Sequence, residues 1–372
     1  MSQSEFRETV VDPAIYIDSD MFRAECEAIE ERAWNFVGLT TDLPLRNSFL
    51  TVNVGRRSVI VQNFQDGVRA FDNVCGHRAC RIRTEAKGAG AIRCPYHSWT
   101  FGSTGAPISI PNNEECFGIA DEDRHRFSLR AWELELCGRF IFVRRSPSGL
   151  SLRAYLGDMY EPLAAISKAI GQEVAADEWE FDANWKICIE NTLDEYHANF
   201  VHPTTFRNLL SLGFEYEYSG LHSAVLTRAS EDALTRWRKI DRLINKRPIT
   251  NENYKHWIAY PLTTFASTFG ATFSIQSFVP VSPTKTRFVS RLFLSDGIES
   301  SQVKVVLGDS AATFNRQVFA EDKEVCELMQ LGIAQGSGRV VTGKYEQRVR
   351  HFQEVSAAFF DTEGLARSRE AG

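Results

Sequence analysis

The 372-residue sequence contains no run of about eighteen apolar residues, so nothing in it reads as a membrane span. The closest stretch, Leu262 to Val281, is interrupted by Thr263, Thr264, Ser267, Thr268 and Gln276. The opening residues, Met-Ser-Gln-Ser-Glu-Phe-Arg-Glu, lack the basic start and apolar run of a secretory signal, which sets the expectation of a cytoplasmic protein. Positive charge is not in excess. The 42 Lys and Arg stand against 48 Asp and Glu, and the formal net charge of -6 gives no reason to expect nucleic acid as a partner. Internal repeats, low-complexity segments and a Gly-rich nucleotide-binding fingerprint are also missing. The 43% hydrophobic and 12% aromatic content fits a globular enzyme, and the length accommodates two domains.

Cysteine, by contrast, is plentiful: Cys26, Cys75, Cys80, Cys94, Cys116, Cys137, Cys188 and Cys326. In a reducing compartment these are not expected to form a disulfide framework, so metal binding is the better account of the clustered ones. Cys26, Cys116 and Cys137 read as small buried side chains.

Ser19, as N-cap, to Phe36 reads as an amphipathic helix, with Phe22, Cys26, Ile29 and Ala33 on one face. Strand-like segments follow at Ser48–Val54, Ser58–Asn63, Val68–Asn73 and Gly138–Arg145, ahead of a linker at Ser146–Gly149. Helical pattern returns at Leu152–Ile170, Lys186–Asn199 and Ser301–Leu331, with strands at Thr272–Val279 and Thr286–Leu294 between the last two. Strands and helices segregate, which predicts an α+β fold. The divisions expected are a helical lead-in over 1–39 packing on the second domain, a small antiparallel β domain over 40–145, and a second domain over 146–372.

Cys75-Gly-His77 and Cys94-Pro-Tyr-His97 supply two thiolates and two imidazoles at short spacings. Zinc fingers pair Cys with Cys and His with His, whereas each pair here holds one of each. A two-iron cluster of the Rieske kind uses two Cys on one iron and two His on the other, so each loop could serve both irons. The plant ferredoxin spacing begins at Cys75 and Cys80 but fails at Arg83. Unrelated core residues are the competing account, and two matched spacings disfavour it.

His197 and His202 form a weaker signal. On one helix Glu190, Asp194 and His197 would share a face, with the helix ending before His202 and Pro203. Two His plus a distant carboxylate would make a facial triad for non-haem Fe(II) with open positions for O2. The His-Glu-x-x-His pattern of zinc peptidases is absent.

Asn73-Val-Cys-Gly-His-Arg78 and Cys94-Pro-Tyr-His-Ser-Trp-Thr-Phe101 resemble the Rieske domain of the ring-hydroxylating oxygenase α subunits. Asn184 through Pro203 resembles the same family's mononuclear-iron motif, and Val318 through Gln330 its later iron-ligand stretch. The resemblance runs from about Pro13 to about Phe360 and extends to the carnitine and choline monooxygenase branch. It implies a [2Fe-2S] cluster on Cys75, His77, Cys94 and His97, and Fe(II) on His197, His202 and Asp322, with Glu321 and Glu327 as fallbacks. Asp194 would bridge His197 to a Rieske histidine of a neighbouring subunit, while Glu190 is either a further contact of that kind or solvated. The second domain would take a helix-grip (START-like) fold.

The implied activity is O2-dependent hydroxylation of a small organic, leading guess aromatic, with a quaternary-amine monooxygenase or demethylase as the alternative. Electrons would come from NAD(P)H through a separate reductase, with or without a ferredoxin. The assembly would be a homo-oligomer, a trimer, with or without a β subunit. The rivals are an electron-transfer or redox-sensing Rieske protein and a lipid-binding protein without chemistry.

The family often carries Arg-Gly where this chain has Arg78-Ala79. Cys80, whose counterpart's partner position holds Tyr96, is expected to be a free thiol. Arg78, Arg81, Arg83 and Arg93 attract an acidic donor, fix the loops or are ordinary surface charges. Phe206, Leu209, Leu210, Phe265, Phe269, Phe273 and Phe278 are candidates to line the pocket.

Overall fold

A computed structural model describes residues 7–10, 12–146, 149–244, 253–298, 300–336 and 339–360. The chain divides into two compact units, one of residues 29–155 and the other of residues 1–28 with 156–372. These boundaries differ from those expected at 39/40 and 145/146. The strand Asn35–Leu39, assigned from sequence to the helical lead-in, pairs with Phe140–Arg144 and so belongs to the β unit. Of the expected linker, Pro147 and Ser148 lie outside the described residues.

The smaller unit is built on a seven-stranded antiparallel sheet. Its strands run in the spatial order Asn35–Leu39, Phe140–Arg144, Ala131–Cys137, Gly67–Asp72, Arg57–Phe64, Ser48–Val54 and Lys87–Ala89. Ile92–Arg93, Thr100–Phe101 and Pro107–Ser109 form a separate small sheet. Phe71, Trp99, Phe101 and Ile60 bury a common core beneath the cysteine loops.

The larger unit carries a second antiparallel sheet of seven strands. Its spatial order is Ile170–Phe181, Lys285–Ser295, Thr272–Ser282, Thr263–Thr268, Asn253–Ala259, His222–Ala229 and Leu210–Ser219. The Leu262–Val281 stretch thus resolves into two paired strands, and the interrupting Thr263, Thr264 and Ser267 are themselves buried. The helix Ser301–Ile333 packs on the Ile170–Phe181 strand, where a Cβ on Gly308 would lie 3.0 Å from Val174. The mixed architecture is the α+β fold read from the sequence.

The first long helix ends at Arg32, not Phe36. Asn35 donates to the carbonyls of Ile29 and Ala33, closing the helix end and freeing the chain to enter its strand. Its cap is Asp18 rather than Ser19, because Asp18 Oδ1 accepts from the Asp20 and Met21 amides. Cys26 and Cys137 are fully buried as expected, but Cys116 is exposed, since its short helix lies on the surface.

Asn184 fixes the helix Trp185–Leu193 from several directions. Its side chain accepts from the Lys186 amide and donates to the carbonyls of Tyr16 and Pro283, while its amide donates to Gln330. Inside that helix Lys186 donates to both oxygens of Glu25 at 2.6 Å. Glu190 is not solvated: it is buried, and Tyr16 donates to both of its oxygens. Burial pushes Glu190 up to about 7, against the opposing hydrogen bonds from Tyr16 and Gln353.

Candidate metal centres

The two cysteine loops share one backbone plan. Cys75 N–H donates to the Cys80 carbonyl and Ala79 N–H returns to the Cys75 carbonyl; Cys94 N–H donates to Trp99 and Ser98 N–H returns to Cys94. The fourth residue after each cysteine turns left-handed, Ala79 at φ 52° and Ser98 at φ 60°. That requirement explains why glycine suits position 79. Gly76 is fixed by close approach, since a Cβ there would sit 2.0 Å from the Phe127 carbonyl oxygen.

Cys75 and Cys94 are buried, while His77 is half-buried and His97 exposed. The two imidazoles face each other at 4.8 Å between centroids, and Trp99 stacks on His77 at 4.9 Å. Burial, with His97 and Arg78 nearby, pushes the His77 imidazole down, which favours the neutral form a metal needs. Burial pushes the Cys75 thiol up to about 11, so a cation is what would hold it as thiolate here. Two inner thiols and two outer imidazoles fit a Rieske cluster.

Three of the flanking arginines, Arg78, Arg81 and Arg83, tie loops together. Arg83 donates to the carbonyls of Gly90 and Ala91 and lies 3.9 Å over the Phe49 ring. Arg81 reaches Ser58, and Arg78 reaches Tyr96 on the opposite loop. Cys80 carries a free thiol.

In the larger unit the expected helix over Lys186–Asn199 is broken. Trp185–Leu193 stops at Asp194, whose Oδ1 accepts from the Tyr196 and His197 amides and caps the following turn. A single helical turn, Ala198–Val201, then separates His197 from His202. Both imidazoles are thereby aimed at the same point, although Glu190, Asp194 and His197 do not share a helix face.

The helix Ser301–Ile333 completes the set with Asp322. His197 Nε2 and His202 Nε2 are 3.1 Å apart, and Asp322 Oδ1 lies 3.1 Å from His202 Nε2 and 3.5 Å from His197 Nε2. Donors at about 2.1 Å from one metal, at right angles, would be about 3 Å apart, so this triangle matches one face of an octahedron. His202 Nδ1 meets Glu321 Oε2 at 2.7 Å, which leaves Nε2 free as a ligand. His197 Nδ1 is 3.5 Å from Asp194 Oδ2, and Asn191 donates to Asp322 at 2.9 Å.

Burial favours a neutral Asp322, yet hydrogen bonds from both histidines hold its carboxyl well below the usual range. Burial likewise disfavours an imidazolium at His197, but Asp194 and Asp322 lift it to about 10. A concentrated negative charge with two imidazoles is a donor set suited to a divalent cation. The fallback carboxylates are elsewhere employed: Glu321 orients His202, and Glu327 accepts from the Asp182 amide. Asn191 was not singled out in the sequence, although it lies inside the quoted motif.

A cavity of about 320 Å³ opens beside His197, His202 and Asp322. Phe206, Leu209 and Phe269 line it as expected, whereas Leu210 borders a smaller neighbouring recess. Phe265 and Phe273 alternate onto the other sheet face, next to cavity-lining Ala266, Thr272 and Ser274, and Phe278 packs against Phe288. The sequence reading also missed the buried set of Glu195, Arg348 and His256. Burial raises Glu195 to about 7 against the pull of Arg348.

Residues 171–362 match the ring hydroxylating alpha subunit (catalytic domain) model, and residues 33–129 the Rieske [2Fe-2S] domain model. The chain is 31% identical to the glycine betaine monooxygenase oxygenase subunit of Chromohalobacter salexigens, over 59% of this chain and 48% of that relative. It thus spans about half the length of that relative. With the carnitine monooxygenase oxygenase subunit of Acinetobacter pittii it shares 26% identity over 92% of both chains. A crystal structure of naphthalene 1,2-dioxygenase from Rhodococcus sp. superposes with a TM-score of 0.79 at 19% identity, covering 95% of each chain. Among the described residues no helix is long and apolar enough to cross a membrane. The chain belongs to the ring hydroxylating alpha subunit family and carries a Rieske [2Fe-2S] domain.

Proposed function

We propose that this protein is the terminal oxygenase component of an electron-fed system, oxidising a small organic molecule with O2. The observation that carries the proposal is the triangle of His197, His202 and Asp322 donor atoms, opening onto a largely apolar cavity. A [2Fe-2S] cluster on Cys75, His77, Cys94 and His97 and an Fe(II) on the triangle would supply single-electron delivery and O2 activation. The chain's own residues do the positioning. Glu321 sets the His202 ring, Asn191 holds the Asp322 carboxylate, and Phe206, Phe269 and Phe314 exclude water around a bound ring. Asp194 keeps His197 in place and, in the reading carried by the family resemblance, reaches a Rieske histidine of a neighbouring copy.

Electrons would derive from NAD(P)H through a separate reductase, with or without a ferredoxin, as the family resemblance implies. The same reading places the protein in the cytoplasm as a homo-oligomer, a trimer, with or without a β subunit. A quaternary-amine monooxygenase is the second reading, supported by the carnitine relative that matches over nearly its full length.

Oxygen uptake measured with a supplied reductase and NADH, across aromatic compounds and quaternary amines, tests the proposal. Uptake coupled to oxidation of one class, and lost in His197→Ala, is the expected result. Full activity in His197→Ala would overturn it in favour of a protein that uses its cluster alone.

A further inference from the structure

His256 lines the cavity from the strand Asn253–Ala259, with 4% of its surface exposed. Arg348 Nη1 lies 3.0 Å from its Nδ1. The same guanidinium is held at Nη1 by Glu195 Oε1 at 2.8 Å and at Nε by Ser223 Oγ at 3.2 Å, and it is fully buried. A guanidinium only donates, so His256 Nδ1 must accept. A neutral imidazole that accepts at Nδ1 carries its proton on Nε2. Burial, then the Arg348 charge, push this imidazole well below its ordinary range, which keeps it neutral.

That Nε2–H has no partner among the described residues. A buried donor left unpaired in an otherwise well-bonded interior calls for a partner that the chain itself does not supply. The sheet register shows where such a partner would lie. His256, Ala266 and Ser274 are direct neighbours across three strands, so the small Ala266 leaves a trough between the imidazole and Ser274. Ser274 Oγ is buried and unpaired as well, and so is Trp237 Nε1 in the same cavity wall.

Among the described lining residues, Asp322, already committed to the metal triangle, is the only carboxylate, and no Lys or Arg is among them. Arg348 lies behind His256 with Glu195 already paired to it. A substrate carboxylate would therefore lose its hydration here without a Lys or Arg among these residues to pair with, whereas an uncharged acceptor needs only the Nε2–H.

We propose that His256 is a positioning residue, its Nε2–H donating to an acceptor atom of an uncharged, ring-bearing substrate seated over Ala266. This rests on the reading that the cavity beside the triangle is the substrate site. It narrows that reading to neutral rings carrying a carbonyl, ether or similar oxygen.

Equilibrium binding to the iron-loaded holoenzyme tests it with three probes: 1-indanone, indane and phenyltrimethylammonium. Indanone and indane share a frame and differ in one carbonyl. Indanone is expected to bind about tenfold more tightly than either other probe, the size of one well-made hydrogen bond in a dry site. His256→Phe should bring indanone and indane within about twofold of each other without weakening indane, and His256→Gln, which keeps an N–H donor, should restore the preference. Equal binding of indanone and indane to the unaltered protein overturns the proposal without recourse to any variant. So does an unchanged preference in His256→Phe, or tightest binding of the ammonium probe. Iron content is read separately: an iron-free triangle with the indanone preference intact would remove the oxygenase reading and leave the His256 contact standing.

Discussion

The two candidate centres of this chain are assembled in opposite ways. In the cysteine loops, ligands and the backbone that aims them lie within a few residues, each loop closed by its own pair of hydrogen bonds. The second centre draws two histidines from a broken helix and its carboxylate from a helix more than a hundred residues later. Two of its candidate ligands are then oriented by a further side chain, His202 by Glu321 and Asp322 by Asn191, while Asp194 holds the His197 backbone amide. A local centre is thus expected to fail through backbone strain, and a distributed one through lost orientation.

The largest expected effect comes from straining a loop. Gly76→Ala places a methyl against the Phe127 carbonyl, where backbone rather than a flexible side chain must move. Its Rieske-type visible absorbance should be lost, while iron at the His197 site is retained. Absorbance spectra with iron and sulfide assays on the purified variant would show whether the centres fail independently.

Loss of orientation should be milder. Glu321→Ala leaves all three donor atoms in place but frees the His202 ring, and iron affinity should fall by about 10- to 100-fold. Competition with a chelator reads that fall, and an unchanged affinity would show that the distributed centre needs no such support.

The helix bearing the second motif also carries a pH dependence of its own. Glu190 has a folded-state value of about 7, above its ordinary 4.5, so the folded protein binds the extra proton between those limits. Its contribution to stability is complete below about pH 4.5 and is lost as pH rises towards 7. Denaturant unfolding of Glu190→Gln should show a flatter decline across that window than the unaltered chain.

The smallest effect sharpens the local side of the comparison. Ala79 holds a left-handed conformation, at a cost of roughly 1 kcal/mol that glycine avoids. Ala79→Gly should therefore stabilise the cluster-bearing unit by up to about 1 kcal/mol, seen as slower loss of cluster absorbance on heating.

The same contrast governs what could be read in the sequence. Cys75, His77, Cys94 and His97 could be proposed from sequence because their spacing is local, and the strand leading into the first loop could be read as well. Asp322 could be chosen over Glu321 only through family resemblance, because neighbouring carboxylates on a helix differ in direction rather than in spacing. The break at Leu193 was hidden because Asp194 is compatible with a helical pattern and acts here as a cap. Glu190, paired with Tyr16, and His256, pinned by Arg348, were beyond reach, since their partners lie 174 and 92 residues away.

Metal and sulfide counts on one preparation address the central claim, that the chain holds two separate iron centres. About three irons and two acid-labile sulfides per chain are expected, falling to about two irons and two sulfides in Asp322→Ala. Two irons in both proteins, with the unaltered chain fully active, would contradict it.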